Sequence, residues 1–145
     1  MRVMAVDFGD ARTGIAISDP TGSITGITRV IHQRHPEKVA EETAALVRQY
    51  AVAVVVVGLP RNMNGTEGPR AALCREFAVL LEARCGLKPV LWDERLTTVA
   101  AHAILSANDR HGKKRKNTVD AVAASLILEG YLAAGQKNGG DETDC

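Results

Sequence analysis

The sequence predicts an α/β fold: a mixed sheet of five strands, three antiparallel and then two parallel, flanked by helices on both faces. Three observations carry that expectation. Residues 3–31 hold three apolar stretches joined by brief turns, which favours an antiparallel meander. The run Ala51–Val57 (AVAVVVV) is mostly β-branched and lacks polar alternation, as a strand buried on both faces requires. A helical pattern leads into that run, making the connection a crossover and the pairing parallel. At 145 residues the chain should form one domain with a real core.

The first strand is the apolar run Val3–Val6, closed by Asp7. Gly9, Asp10 and Gly14 break the pattern, with Arg12 between them, and predict a tight strand–turn–strand. Gly14–Asp19 (GIAISD) reads as the second strand, Pro20–Gly22 as a turn, and Ile24–Ile31 (ITGITRVI) as the third strand. Pro36 opens a helix in which Val39, Thr43, Leu46, Val47 and Tyr50 recur at helical spacing. Gly58-Leu59-Pro60 ends the buried fourth strand, and residues 61–68 (RNMNGTEG) form a polar loop. Pro69 starts a second helix with Leu73, Phe77, Leu80 and Leu81 on one face, and Gly86 stops it.

Lys88–Trp92 is the fifth strand, with Asp93-Glu94-Arg95 as its exit. Thr97 or Thr98 caps a helix to about Ala107, and Asn108–Lys116 (NDRHGKKRK) reads as a basic loop. Asn117 or Thr118 caps a last helix to about Ala133, with Val119, Val122, Ala123, Leu126 and Ile127 as its core side. The domain is expected over residues 1–134. Residues 135–145 are polar and glycine-rich, and read as a disordered tail.

The hydrophobic fraction of 46% suits a globular domain, and a net charge of +1 offers no global basic field. Affinity for nucleic acid would have to come from a local patch. No apolar stretch is long enough to span a bilayer, and the chain enters a strand directly, so a cytoplasmic address is the expectation. Cys74, Cys85 and Cys145 lack metal-type spacing. Cys74 and Cys85 share a helix with about 16 Å of rise between them, too far to pair. Buried or idle thiols are expected there, and Cys145 could link two chains under oxidation.

Acidic residues sit at element ends: Asp7 after the first strand, Asp93-Glu94 after the fifth, Asp120 in the first turn of the last helix. The first strand of such a sheet is normally central, and parallel strands deliver their carboxyl ends to one rim. A last helix packed across that rim would bring Asp120 toward Asp7, and Ala121, Ala123 and Ala124 permit close approach. Singly, each acid is best explained by capping or a local ion pair. Jointly, three carboxylates without matching cations call for a divalent ion, and oxygen-only ligands favour Mg²⁺ or Mn²⁺. Two such ions could activate water and stabilise the leaving oxygen of a phosphodiester. Adjacent residues of an extended chain face opposite ways, so only one of Asp93 and Glu94 is a direct ligand. Glu94 reaches further and is preferred, with Asp93 as the alternative.

Arg110, Lys113, Lys114, Arg115 and Lys116 precede Asp120 and can neutralise several phosphates. Asn62, Asn64, Gly65 and Thr66 offer amides and a hydroxyl on the same expected rim, with turn formation as the plainer role. Arg12 is a further phosphate candidate, or else a brace for Asp10. With five aromatic residues in the chain, no platform for stacking splayed bases is visible.

Together these residues resemble the YqgF/RuvX family, an RNase H-like group. The resemblance rests on Asp7-Phe8-Gly9 with Arg12 and Gly14, Val57–Pro60, Asn62–Thr66, Asp93–Thr98, and Asp120-Ala121 through Ile127-Leu128. It implies an RNase H-like fold and metal-dependent hydrolysis of nucleic-acid phosphodiesters. Asp7, Glu94 and Asp120 would hold the metal, and Arg12, Asn62, Asn64, Arg95, Arg110 and Lys113–Lys116 would bind nucleic acid. It further implies processing of the 5′ end of pre-16S rRNA, with ribosomal particles as possible partners, by a monomer or weak homodimer. The alternatives are resolution of four-way DNA (Holliday) junctions by a dimer, and a non-catalytic nucleic-acid-binding protein. The Asp-x-Gly turn also resembles the phosphate hairpin of actin- and hexokinase-like ATPases, but 145 residues cannot supply their second domain.

Overall fold

A computed structural model of the chain describes residues 1–96 and 112–137; for 96, 112–120, 136 and 137 it describes the backbone alone. The elements are β1 (Arg2–Asp7), β2 (Arg12–Ser18), β3 (Thr25–His32), α1 (Pro36–Gln49), β4 (Val52–Leu59), α2 (Pro69–Cys85), β5 (Val90–Asp93), a single 3₁₀ turn (Glu94–Leu96) and α3 (Gly112–Lys137). The five strands form one sheet in the order β3-β2-β1-β4-β5. β1 pairs antiparallel with β2 and β2 with β3, whereas β1–β4 and β4–β5 are parallel. The expected mixed sheet with a central first strand is therefore present.

Alternation along the central strands sorts the core into two layers. Met4, Val6, Val55 and Val57 face one side, where α1 and α2 cover them with Val39, Val47, Phe77 and Leu81. Val3, Ala5, Ala16 and Val56 face the other, where α3 contributes Ala124, Ile127, Leu128 and Leu132. Ala5, Ala16 and Ala124 are fully buried, and their small side chains let α3 lie close on β1 and β2. The same alternation puts Asp7, two residues after Ala5, on the α3 side of the sheet.

β2 opens two residues earlier than expected, at Arg12, and β5 runs from Val90 to Asp93 instead of Lys88–Trp92; two further differences bear on the site. β4 continues through Gly58 and Leu59, because both pair with β5, opposite Trp92 and Asp93. The last helix begins at Gly112, so Lys113–Lys116 lie in its first turns and not in a loop. Lysine and arginine are good helix formers, and nothing between Gly112 and Asp120 breaks a helix. The helix expected over residues 97–107, and Arg110 with it, falls outside the described residues. Residues 135–137, assigned to the tail, continue α3; residues 138–145 lie outside the described residues.

Phe77 carries much of the α2 packing: it is fully buried and stacks on Phe8, with ring centroids 4.4 Å apart. Phe77→Ala should lower stability by about 3–5 kcal/mol. Urea unfolding checks this; a loss under about 1 kcal/mol would mean that the α2 layer is not tightly packed.

Candidate active site at the carboxyl ends of the parallel strands

Asp7 ends β1 half-buried, directly before a turn that only glycine allows. A Cβ on Gly9 would lie 2.0 Å from the Arg12 carbonyl oxygen, so any side chain there would force the hairpin open. Beside Asp7, in the parallel register that pairs Val6 with Val57, stands Gly58 of β4. A Cβ on Gly58 would lie 2.7 Å from Cδ1 of Ile127 and 3.1 Å from a carboxylate oxygen of Glu94. The missing side chain thus leaves room for Glu94 to reach back from the end of β5 across β4. Neighbouring strands are about 4.8 Å apart, so this brings its carboxylate into the neighbourhood of Asp7.

Asp93 and Glu94 diverge, as adjacent residues should. The Asp93 carboxylate accepts from Nε and Nη2 of Arg95, the latter at 2.6 Å, and from the Arg95 backbone amide at 2.9 Å. Arg61 adds a longer contact of 3.9 Å. The Arg95 bonds hold the Asp93 carboxyl below its ordinary range. Glu94 has the opposite setting. Burial pushes its carboxyl above the usual value; Arg70 opposes the shift and Asp93 adds to it. Of the pair, Glu94 is the carboxylate committed to no ion pair among the described residues.

Arg70, in the first turn of α2, is the residue that the motifs did not single out. It donates to the Phe8 carbonyl oxygen, pairs with Asp10 at 2.8 Å and lies over the Phe8 ring. The turn after Asp7 is therefore braced from α2. Its only sequence signal is its place directly after Pro69 in the helix that follows the polar loop. Cys74, one turn further along α2, senses the same rim. Burial raises its thiol to about 11, Arg70 opposes this, and Glu94, Asp7 and Asp10 add to it.

The polar loop after β4 is a self-contained turn. Asn62 donates from its side chain to the Thr66 hydroxyl, and Asn64 accepts from the Thr66 amide and hydroxyl. Arg95 reaches the Met63 carbonyl at 3.4 Å while pairing with Asp93. Asn62, Asn64 and Arg95 thus hold loop geometry at this rim. Asp120, expected in the first turn of a helix capped by Asn117 or Thr118, lies instead eight residues into α3, four and seven residues before the buried Ala124 and Ile127; its side chain, like those of Lys113–Lys116, is outside those described. Among the described residues no group of three metal-type ligands assembles. The oxygen donors of Asp7 and of Glu94, whose carboxyl pKa burial raises, are nonetheless of the kind that a hard divalent cation such as Mg²⁺ or Mn²⁺ takes.

Comparison with known proteins gives a consistent result. Residues 1–134 match the family model described as RuvX: Holliday junction resolvase. A Carboxydothermus hydrogenoformans protein named "Putative pre-16S rRNA nuclease" is 45% identical over 138 residues, covering 95% of this chain and all of that one. A Listeria monocytogenes protein of the same name is 47% identical, over 91% of this chain and 97% of its own. Among solved structures, Thermus thermophilus RuvC in complex with a Holliday junction superposes with a TM-score of 0.62 at 11% identity, covering 93% of this chain and 96% of RuvC. The fowlpox virus Holliday junction resolvase gives 0.55 at 17% identity, covering 92% and 99%. At such identities these two likenesses speak for the fold alone, which is that of RNase H-like resolvases.

Two outcomes follow from the site's packing. Gly58→Ala should destabilise the protein by about 1–3 kcal/mol, because Ile127 and Glu94 must both move; an unchanged unfolding midpoint would refute the close approach. For Cys74, the unfolded thiol titrates near 9 and the folded one near 11. Its contribution is therefore whole below about pH 9 and falls as pH rises toward 11, by at most about 1.4 kcal/mol per unit. Comparing wild type with Cys74→Ala across that window isolates the effect, and parallel stability curves would contradict it.

Proposed function

The chain belongs to the RuvX family, and from that premise and its carboxylate rim we propose a metal-dependent nuclease that processes the 5′ end of pre-16S rRNA. The observation that supports this most directly is the partition at the end of β5. Asp93 is consumed by Arg95, while Glu94 turns over Gly58 toward Asp7. Asp7 and Glu94, joined by Asp120 from α3, would hold one or two Mg²⁺ or Mn²⁺ ions. The metal would supply Lewis-acid activation of water and charge stabilisation of the departing sugar oxygen.

The chain's own residues do the rest. The Asp93–Arg95 pair, tied to the Met63 carbonyl, holds the backbone from which Glu94 projects. Arg70 fixes the turn that follows Asp7 through Phe8 and Asp10. Arg12 and Lys113–Lys116 would bind phosphate oxygens and set the strand's path, with Arg110 extending it. A cytoplasmic enzyme is consistent with the absence, among the described residues, of a helix able to cross a membrane.

A second reading is favoured by the family description: cleavage of four-way DNA junctions. That reaction needs two dyad-related sites and so a dimer, whereas rRNA trimming needs only one.

Cleavage of labelled precursor rRNA and a labelled four-way junction, with Mn²⁺ or with EDTA, separates these readings. Asp7→Asn and Glu94→Gln should abolish cutting while sparing or tightening nucleic-acid binding, since each removes a repulsive charge. Asp93→Asn should retain activity within about 10–100-fold of wild type, as for a residue that positions a ligand. Mn²⁺ should raise the unfolding temperature of wild type more than of Glu94→Gln. Binding without metal-dependent cutting, unaltered by these substitutions, would identify a non-catalytic binding protein.

A further inference from the structure

Two strands from Asp7, on the same rim, the chain forms a concavity of about 390 Å³ lined by Ala11, Arg12, His32, Gln33, Arg34 and His35. Its construction is local and well defined. Arg12 opens β2 and pairs in register with His32, which closes β3. The Gln33 amide donates to the Ala11 carbonyl at 3.1 Å, closing the floor between the two strands. The Gln33 side-chain oxygen then accepts from the amides of Arg34 and His35, at 3.0 and 3.3 Å, and bends the chain into α1. His32, Arg34 and His35 are left exposed around the opening.

The charge balance of this concavity is one-sided. None of its lining residues is acidic. Asp10, the nearest carboxylate in sequence, is paired with Arg70. The side chains of His32, Arg34 and His35 make no ion pair or hydrogen bond among the described residues. Arginine presents a fork of donors suited to phosphate oxygens, and imidazole keeps at least one N–H donor in either protonation state. The donors of His32, Arg34 and His35, set around a concavity with no acidic lining residue, suit an oxyanion.

Register places this cluster relative to the carboxylates. Asp7 pairs with Gly14 of β2, and Arg12 lies two residues nearer the rim on the same face of the sheet. The distance from β1 to β3 is two strand spacings, about 10 Å. A nucleic-acid strand crossing the rim at Asp7 and Glu94 would pass the concavity within the reach of a neighbouring phosphate.

We propose that Arg12, His32, Arg34 and His35 form a phosphate subsite that binds a backbone phosphodiester of the substrate beside the one cleaved. The inference rests on the nuclease reading above and extends it in one direction, from β1 across β2 to β3. The subsite contacts backbone oxygens only, so it contributes affinity and strand direction, not sequence preference.

The test uses the full chain with EDTA, so that cleavage plays no part. Binding of short labelled RNA and DNA duplexes is followed against salt for wild type, Arg34→Gln and Arg34→Gln/His35→Gln. Both variants alter exposed side chains, and their unfolding midpoints should match wild type. In parallel, inorganic phosphate is titrated while the imidazole resonances are observed. The expected result is weaker binding of both duplexes, a salt slope smaller by about one unit per lost phosphate contact, and phosphate-induced shifts at His32 and His35. Wild-type binding with an unchanged slope in the double variant would overturn the subsite and leave the nuclease reading intact. No duplex binding by wild type, with phosphate still shifting both imidazoles, would identify a free-anion site and overturn both readings.

Discussion

The site depends on one absence: the missing side chain at Gly58. β4 lies between the strand that ends in Asp7 and the strand that ends before Glu94, and any Cβ on its α3 face at this level would block the way. Ile127 of α3 already occupies the space to 2.7 Å of where that Cβ would be, so the helix and the carboxylate share one gap. The same glycine therefore sets how closely α3 packs on the sheet and whether Glu94 can approach β1. Packing and chemistry are coupled there because close-packed interiors do not yield small volumes cheaply.

Around that gap the charges are sorted by partner. Asp93 and Asp10 are neutralised by arginines, Arg95 and Arg70, and these pairs hold the two loops that flank the site. Glu94 stays at the rim without an ion pair among the described residues, and burial of its carboxylate is unfavourable without a countercharge. Exposed ion pairs contribute little stability by themselves. Their value here is geometric: each fixes the backbone of a loop that flanks the rim.

The family relationship and the structural likeness operate at different levels. Relatives at about 45% identity match nearly the whole chain. RuvC and the poxvirus resolvase share the sheet and its helices at 11–17% identity, so the architecture tolerates almost complete replacement of side chains.

The sequence by itself determined the architecture. Strand order, the parallel and antiparallel halves, and the positions of α1 and α2 all follow from local signals such as Pro36, the valine run before Gly58, and Gly86. Asp7, Asp93 and Glu94 stood out as candidates for the same reason, since each stands where a strand visibly ends, whereas Asp120 lies eight residues inside α3. Only the tertiary structure decided which partner each charge takes. Asp93 and Glu94 are indistinguishable in sequence, and their fates separate because one meets Arg95 and the other meets the space above Gly58. Arg70 and Arg34 carry no local pattern, because their importance arises from elements 60 residues or 22 residues away in the chain, Asp10 in the first case and Arg12 in the second. The start of α3 was missed because a run of cations reads as a solvated loop, although lysine and arginine extend a helix as readily as they leave one. Periodicity and turn chemistry are properties of neighbours along the chain; ion pairing and close approach are properties of neighbours in space.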